Sequence, residues 1–144
     1  MLKKFLALTF SIIFSSMTFA ESSLTGNWIT LNEKNQKSSI VEVYEQNGKF
    51  SAKVLEVLPQ KGVKKNPICK KCPGDFKNKP IKGLVLLWGL SPADNNSWEN
   101  GKALDPKTGK ILNTKATLST DGKTLKLKHS LGFFSTTRTW LKSN

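Results

Sequence analysis

The chain has 144 residues, 38% of them hydrophobic, and carries 23 Lys plus Arg against 10 Asp plus Glu, a formal charge of +13. That length suits one globular unit and excludes a multidomain protein. The apolar fraction is enough for a core, which excludes a disordered polybasic tail and leaves the positive excess to be carried on the surface.

The first segment is a targeting signal by its order of parts. Lys3 and Lys4 make a positive start, Phe5 to Phe14 an apolar run, and Thr18-Phe19-Ala20 a small-x-small cleavage site. The competing reading is a retained anchor. Thr9, Ser11, Ser15, Ser16 and Thr18 interrupt the run, however, and a spanning helix needs about 20 predominantly apolar residues. The expected organisation is a signal peptide over 1–20 and a single domain over 21–144. The product is then exported, periplasmic or secreted, and not transmembrane. No Cys follows Ala20, so a lipid-modified N-terminus is not expected.

From there the chain reads as strands punctuated by turn chemistry. Apolar and β-branched runs predict strands near 26–31, 38–45, 49–57, 81–90, 97–103, 110–119, 123–130 and 134–141. Between them stand Asn47-Gly48, Pro73-Gly74, Asn100-Gly101, Thr108-Gly109 and Asp121-Gly122, which supply the positive φ angles of tight reversals. Eight strands joined mostly by tight turns form an antiparallel meander, and closing it removes exposed edges. The predicted fold is an all-β, up-and-down, eight-stranded barrel.

Alternation sorts the strand faces. Leu125 and Leu127 share a side with His129, with Lys126 and Lys128 on the other; Leu112, Ala116 and Leu118 likewise oppose Lys115 and Ser119. Leu84-Val85-Leu86-Leu87-Trp88 is apolar on both sides and demands cover on both, most simply from the long segment before it. If the even-numbered members face inward, Leu84, Leu86 and Trp88 join Leu125, Leu127 and His129 as the lining of a binding lumen. Alternation alone does not say which side is inside, and Glu42 and Tyr44, opposite Val41 and Val43, are open to the same question.

The ends of the domain resemble lipocalins. Gly26-Asn27-Trp28 opens the first strand and Arg138-Thr139-Trp140 closes the last, similar to the Gly-x-Trp and final-strand Arg of that family. The resemblance implies barrel closure by Gly26, Trp28 and Arg138, with the guanidinium stacked on the Trp28 ring, a contact worth roughly 0.5 to 2 kcal/mol. Trp28 and Trp140 as plain core aromatics is the alternative. A larger set of blocks resembles the bacterial family DUF2147, a domain of unknown function described as exported and lipocalin-like. These are Gly26-Asn27-Trp28, Cys69-Lys70-Lys71-Cys72-Pro73-Gly74, Pro80-Ile81-Lys82-Gly83-Leu84, Leu87-Trp88-Gly89-Leu90, Trp98, Leu104-Asp105-Pro106 with Gly109-Lys110, and Arg138-Thr139-Trp140. The chain is shorter than lipocalins that carry large ligands, which limits the depth of any cavity.

Cys69 and Cys72 are two residues apart, and in an oxidising compartment they are expected to form a disulfide that stiffens its loop. A zinc site wants four ligands where this chain offers two thiols and one distant His. Thiol exchange is favoured by Lys65, Lys70 and Lys71, yet redox dithiols of this spacing normally start a helix. Around the pair, residues 61–82 hold eight lysines, Lys64, Lys65, Lys70 and Lys71 among them, and one acid, Asp75. This basic loop attracts an anionic envelope surface or a ligand carboxylate, or is simply a solvated face. Nucleic acid is not an expected partner of an exported chain lacking a recognised motif.

Catalytic equipment is sparse. His129 is the only histidine, and a lone inward His is more often a hydrogen-bonded core residue than a base. No nucleophile elbow, phosphate loop or paired carboxylates on one strand face is present, and Asp105-Pro106 reads as a turn initiator. The expected function is therefore binding rather than catalysis, with no cofactor and no metal. The partner is an apolar or amphipathic small molecule in the lumen; the alternative is a solid barrel that engages anionic surfaces or partners through the Lys-rich disulfide loop. Oligomeric state is not legible.

Overall fold

The computed structural model describes residues 9–15 and 24–144. The expected signal segment falls largely on residues outside these; Thr9 to Ser15 carry no regular structure. The domain is a closed antiparallel barrel of eight strands in sequence order: β1 (Gly26–Leu31), β2 (Lys37–Gln46), β3 (Lys49–Val57), β4 (Val85–Pro92), β5 (Ser97–Leu104), β6 (Ile111–Leu118), β7 (Thr124–Leu131) and β8 (Phe134–Lys142). One short 3-10 turn, Gly74–Phe76, lies in the β3–β4 connection. Among the described residues no helix is long and apolar enough to cross a membrane. The barrel's outward lysines, such as Lys115, Lys126 and Lys128, are exposed, the reverse of the apolar exterior a membrane barrel needs.

Burial follows the two-residue period. Val41 and Val43 on β2, Ala52 and Val54 on β3, Thr114, Ala116 and Leu118 on β6, and Leu125 and Leu127 on β7 are buried, and Glu42, Lys53, Lys115 and Lys126 between them are exposed. Tyr44 therefore stands on the outer side with Glu42.

The β4 strand departs from expectation. It starts at Val85, because residues 81–84 turn, with the Leu84 N–H bonded to the Ile81 carbonyl at 3.0 Å. Its pairing with β3 shifts twice, from Lys53↔Val85 to Ala52↔Leu87 and on to Phe50↔Leu90. Each shift inserts a residue and resets the alternation. The inward residues are consequently Leu87 and Leu90, both in the barrel core, while Leu84 and Trp88 belong to a second cluster outside it.

That second cluster is the cover the apolar β4 run called for. The Cys69–Cys72 disulfide is formed, with Cα atoms 5.4 Å apart, and both cysteines are buried with Leu84 and Leu104. Phe76 stacks on Trp88 at 6.0 Å between ring centroids. The long β3–β4 segment thus folds over the outer face of β4 and β5.

The seam is short: Trp28↔Lys142, Ile29↔Leu141 and Thr30↔Trp140 are the β1–β8 pairs. Trp28 is fully buried and its indole N–H donates to the Leu24 carbonyl at 2.9 Å. The cation on its ring is Lys142, whose Nζ lies 4.8 Å from the centroid and also donates to the Thr25 carbonyl at 2.7 Å. Arg138, expected there, is not. Register explains the correction: Lys142 is the partner of Trp28, and Arg138 lies four residues earlier, roughly 13 Å along the strand.

Candidate functional site

An up-and-down barrel has two ends, and side-chain size makes them different. The end holding the Asn47-Gly48 turn and the β4–β5 and β6–β7 connections is filled. There Trp28, Val43, Phe50, Leu90, Trp98, Leu118 and Leu125 are buried together, with Phe50 and Trp98 edge-to-face at 6.1 Å. Toward the other end inward positions hold Thr30, Val54, Ala103 and Thr136. An eight-stranded barrel is just wide enough for its own side chains to fill, so small residues leave a void. A cavity of about 600 Å³ results, opening among the β1–β2, β3–β4 and β5–β6 loops.

Its deep wall is apolar, from Val54, Leu86, Leu87, Ala103, Leu112, Leu127 and Trp140. Nearer the mouth the wall becomes polar. Thr30 Oγ1 shares hydrogen bonds with the hydroxyls of Ser38 at 2.7 Å and Ser39 at 2.6 Å. The Asn32 amide donates to Gln36 and to Gln60, tying the β1–β2 loop to the β3–β4 loop, and Gln60 donates to the Ser38 carbonyl. Arg138 bonds Glu33 at 2.9 Å across the rim, and Lys34, Lys61 and Lys107 complete it. The β5–β6 loop is an Asx-type turn: Asp105 accepts from the Lys107 N–H and the Thr108 hydroxyl.

His129 stands at the change from apolar to polar wall, its Nδ1 at 2.8 Å from the Thr114 hydroxyl. Burial is the main cause pushing its pKa down to about 4; the Arg138 charge adds to the effect and Asp105 opposes it. The imidazole is neutral at pH 7. The Thr114 hydroxyl is buried, and its other contact, to the Leu112 carbonyl, is long at 3.5 Å. Among the described residues no group of three or more His, Cys, Asp or Glu side chains is placed to hold a metal.

Of the residues expected to line a lumen, Leu86, Leu127 and His129 border the cavity. Leu125 does not: it is packed in the filled end, two residues too deep. Trp88 is outside the barrel because of the register shift on β4, and Leu84 because it lies in the turn that precedes the strand. Arg138 is at the mouth. Lys64, Lys65, Lys70 and Lys71 are exposed on the β3–β4 loop and do not border the cavity. The Thr30–Ser38–Ser39 cluster was not anticipated, since serines in a strand carry no signal of which hydroxyls meet. Ala103 and Val54 were legible in principle from alternation within β5 and β3.

The model of a family described as "Uncharacterized protein conserved in bacteria (DUF2147)" matches residues 26–142, the whole barrel. The chain belongs to this family. Among solved structures, this DUF2147 chain is similar to protein HP1028 from Helicobacter pylori, described as belonging to the lipocalin family. The two are 30% identical with a TM-score of 0.71, over 84% of this chain and 83% of that one. No curated protein matches it. The fold is lipocalin-like, and such a fold with an open cavity fits small-molecule binding.

Proposed function

We propose that this DUF2147 protein is an exported carrier of the cell envelope that binds an amphipathic small molecule with its apolar part inside the barrel. The observation carrying this reading is the 600 Å³ cavity open at the end opposite the Trp28 plug, within the roughly 300 to 1,000 Å³ range of small-molecule sites. The ligand's apolar part packs on Val54, Leu87, Ala103, Leu127 and Trp140. Its polar group meets Arg138 and the rim lysines beside the neutral His129 imidazole, a set of cationic donors that selects a carboxylate or another acceptor-rich head. Export is supported by the order of charge, apolar run and small residues over 1–20 and by the disulfide, a bond of oxidising compartments.

Trp140 borders the cavity and is an internal reporter. Titration with a long-chain fatty acid is expected to change tryptophan emission saturably and with little dependence on salt, because the contacts that dominate are apolar. Ala103→Phe, which places a ring in the cavity, is expected to abolish the response. A wild-type protein with no saturable response, or an Ala103→Phe variant that binds as well as wild type, overturns the reading.

A further inference from the structure

The β7–β8 hairpin has an apolar tip with no structural reason to be apolar. Leu131 pairs with Phe134, leaving Gly132-Phe133 as a two-residue loop, and Gly132 has φ 60°, as the first central position of a type II′ turn requires. The turn needs nothing of its second position, yet Phe133 is fully exposed at 107%, Phe134 is 84% exposed and Leu131 is 42% exposed. The connections at the filled end are polar by contrast: Asn47-Gly48, Ala93-Asp94-Asn95-Asn96 and Thr120-Asp121-Gly122. Since β1, β5 and β7 run in one direction, the Phe133 tip stands at the same end as the cavity mouth.

Cations flank it. From Ile111 to Lys142 the one acidic residue is Asp121, in a turn at the opposite end. On the outer face Lys115 and Lys128 are direct cross-strand partners, a like-charge pairing that costs stability unless an anion lies over it. Lys128 is three residues from Leu131, roughly 10 Å below the tip. A shallow groove beside this pair is lined by Lys102, Asn113, Lys115 and Ser130.

We propose that this hairpin is an interfacial membrane anchor: Phe133 and Phe134 enter the headgroup–acyl boundary of an anionic bilayer, and Lys115 and Lys128 contact its phosphates. A protruding apolar tip with cations on its shoulder matches an anionic bilayer, whose acyl boundary takes the rings while its headgroup phosphates meet the lysines. Docking in this pose turns the cavity mouth toward the bilayer, where an amphipathic ligand resides. The anchor is independent of what the cavity holds.

Flotation of the full barrel with phosphatidylcholine vesicles, with and without phosphatidylglycerol, tests it. Binding is expected only with phosphatidylglycerol. The Phe133→Ser/Phe134→Ser variant, which disturbs no packed residue, is expected to lose on the order of tenfold in partitioning per phenylalanine. Lys115→Gln/Lys128→Gln is expected to lose about fivefold per lysine and most of the salt dependence. Phe133→Trp is expected to shift its emission to the blue on vesicles. Ala103→Phe, which blocks the cavity, is expected to dock as well as wild type, so failure of the carrier reading and failure of the anchor are told apart. Absence of binding to phosphatidylglycerol vesicles, or equal binding by the Phe133→Ser/Phe134→Ser variant, overturns the anchor. So does a concentration-dependent dimer that this variant abolishes, which makes a second copy of the chain the occupant.

Discussion

Gly109 is where the cavity's outer wall is fastened to the disulfide loop, and Gly109→Ala measures how tightly. The residue has φ 73°, and a Cβ built on it would sit on the Lys71 carbonyl oxygen, 2.6 Å from the Lys71 carbonyl carbon and 3.3 Å from the Cys72 nitrogen. Two costs follow. A non-glycine residue in the left-handed region costs about 1 to 2 kcal/mol, and forcing packed groups apart costs about 1 to 3 kcal/mol more. Gly48→Ala separates them, since Gly48 has φ 77° and nothing within 4 Å of its would-be Cβ. It should show the conformational cost alone.

The expected order in urea or thermal unfolding is therefore wild type, then Gly48→Ala, then Gly109→Ala. For a barrel of this size 1 kcal/mol moves Tm by about 4 °C, so Gly109→Ala should melt about 4 to 12 °C below Gly48→Ala. The obstructing atoms are backbone held by the Cys69–Cys72 ring, so in a Cys69→Ala/Cys72→Ala background the excess should shrink. Because Asp105, Pro106 and Lys107 border the cavity, folded Gly109→Ala should also bind ligand more weakly. A Gly109→Ala variant no less stable than Gly48→Ala would refute the close docking of the two loops.

Three further outcomes can be checked by the same unfolding assays. In acid, unfolded His129 takes a proton near pH 6.5 and the folded residue only near 4. The unfolded state therefore binds more protons in that window, and stability falls as pH drops from 6.5 to 4 by about 3 kcal/mol, with no contribution above 6.5; His129→Gln should flatten that fall, and an equally steep profile would remove burial of His129 as its cause. Lys142→Met, which deletes the cation over Trp28 and the bond to the Thr25 carbonyl, should cost about 1 to 2 kcal/mol, whereas Arg138→Met should leave the Trp28 emission unchanged. Cys69→Ala/Cys72→Ala should cost about 2 kcal/mol by loop entropy, and the buried packing of both side chains sets that as a lower bound.

What the sequence made legible was the local part of the structure. The eight strands, the turn dipeptides Asn47-Gly48, Pro73-Gly74, Thr108-Gly109 and Asp121-Gly122 and the cover on the Leu84–Trp88 run follow from periodicity and turn chemistry, which each residue carries in its neighbours. Asn100-Gly101, expected as a turn, instead lies inside β5 where its pairing with β6 shifts. What stayed hidden is set by pairing between distant strands. The register shift between Val85 and Leu87 puts Trp88 on the outer side and depends on how β3 meets β4, while Leu84 falls outside because the chain is still turning before β4 begins. Lys142 rather than Arg138 meets Trp28 because of where β8 settles against β1. The Thr30–Ser38–Ser39 cluster depends on the irregular β1–β2 register at Thr30, and the Glu33–Arg138 pair arises only once both ends of the chain share a rim.

The barrel's division into a plug and a cup has a sequence cause that stability can interrogate without any ligand. Large inward residues, Trp28, Phe50, Leu90 and Trp98, fill one end, and Thr30, Val54 and Ala103 leave the other open. Ala103 lies between Leu87 and Leu112 in the sheet, with its side chain on the cavity. If the space exists, the ring introduced by Ala103→Phe lies against apolar wall and gains up to about 1.5 to 3 kcal/mol of burial. If neighbouring side chains already occupy it, overpacking costs about 1 to 3 kcal/mol instead. The sign of the change in unfolding free energy therefore reports the cavity directly. A variant that is more stable and no longer binds means that the small residues hold the space open at the expense of stability, as a site kept for function does. A destabilised variant means the interior is packed, and the carrier reading falls with it.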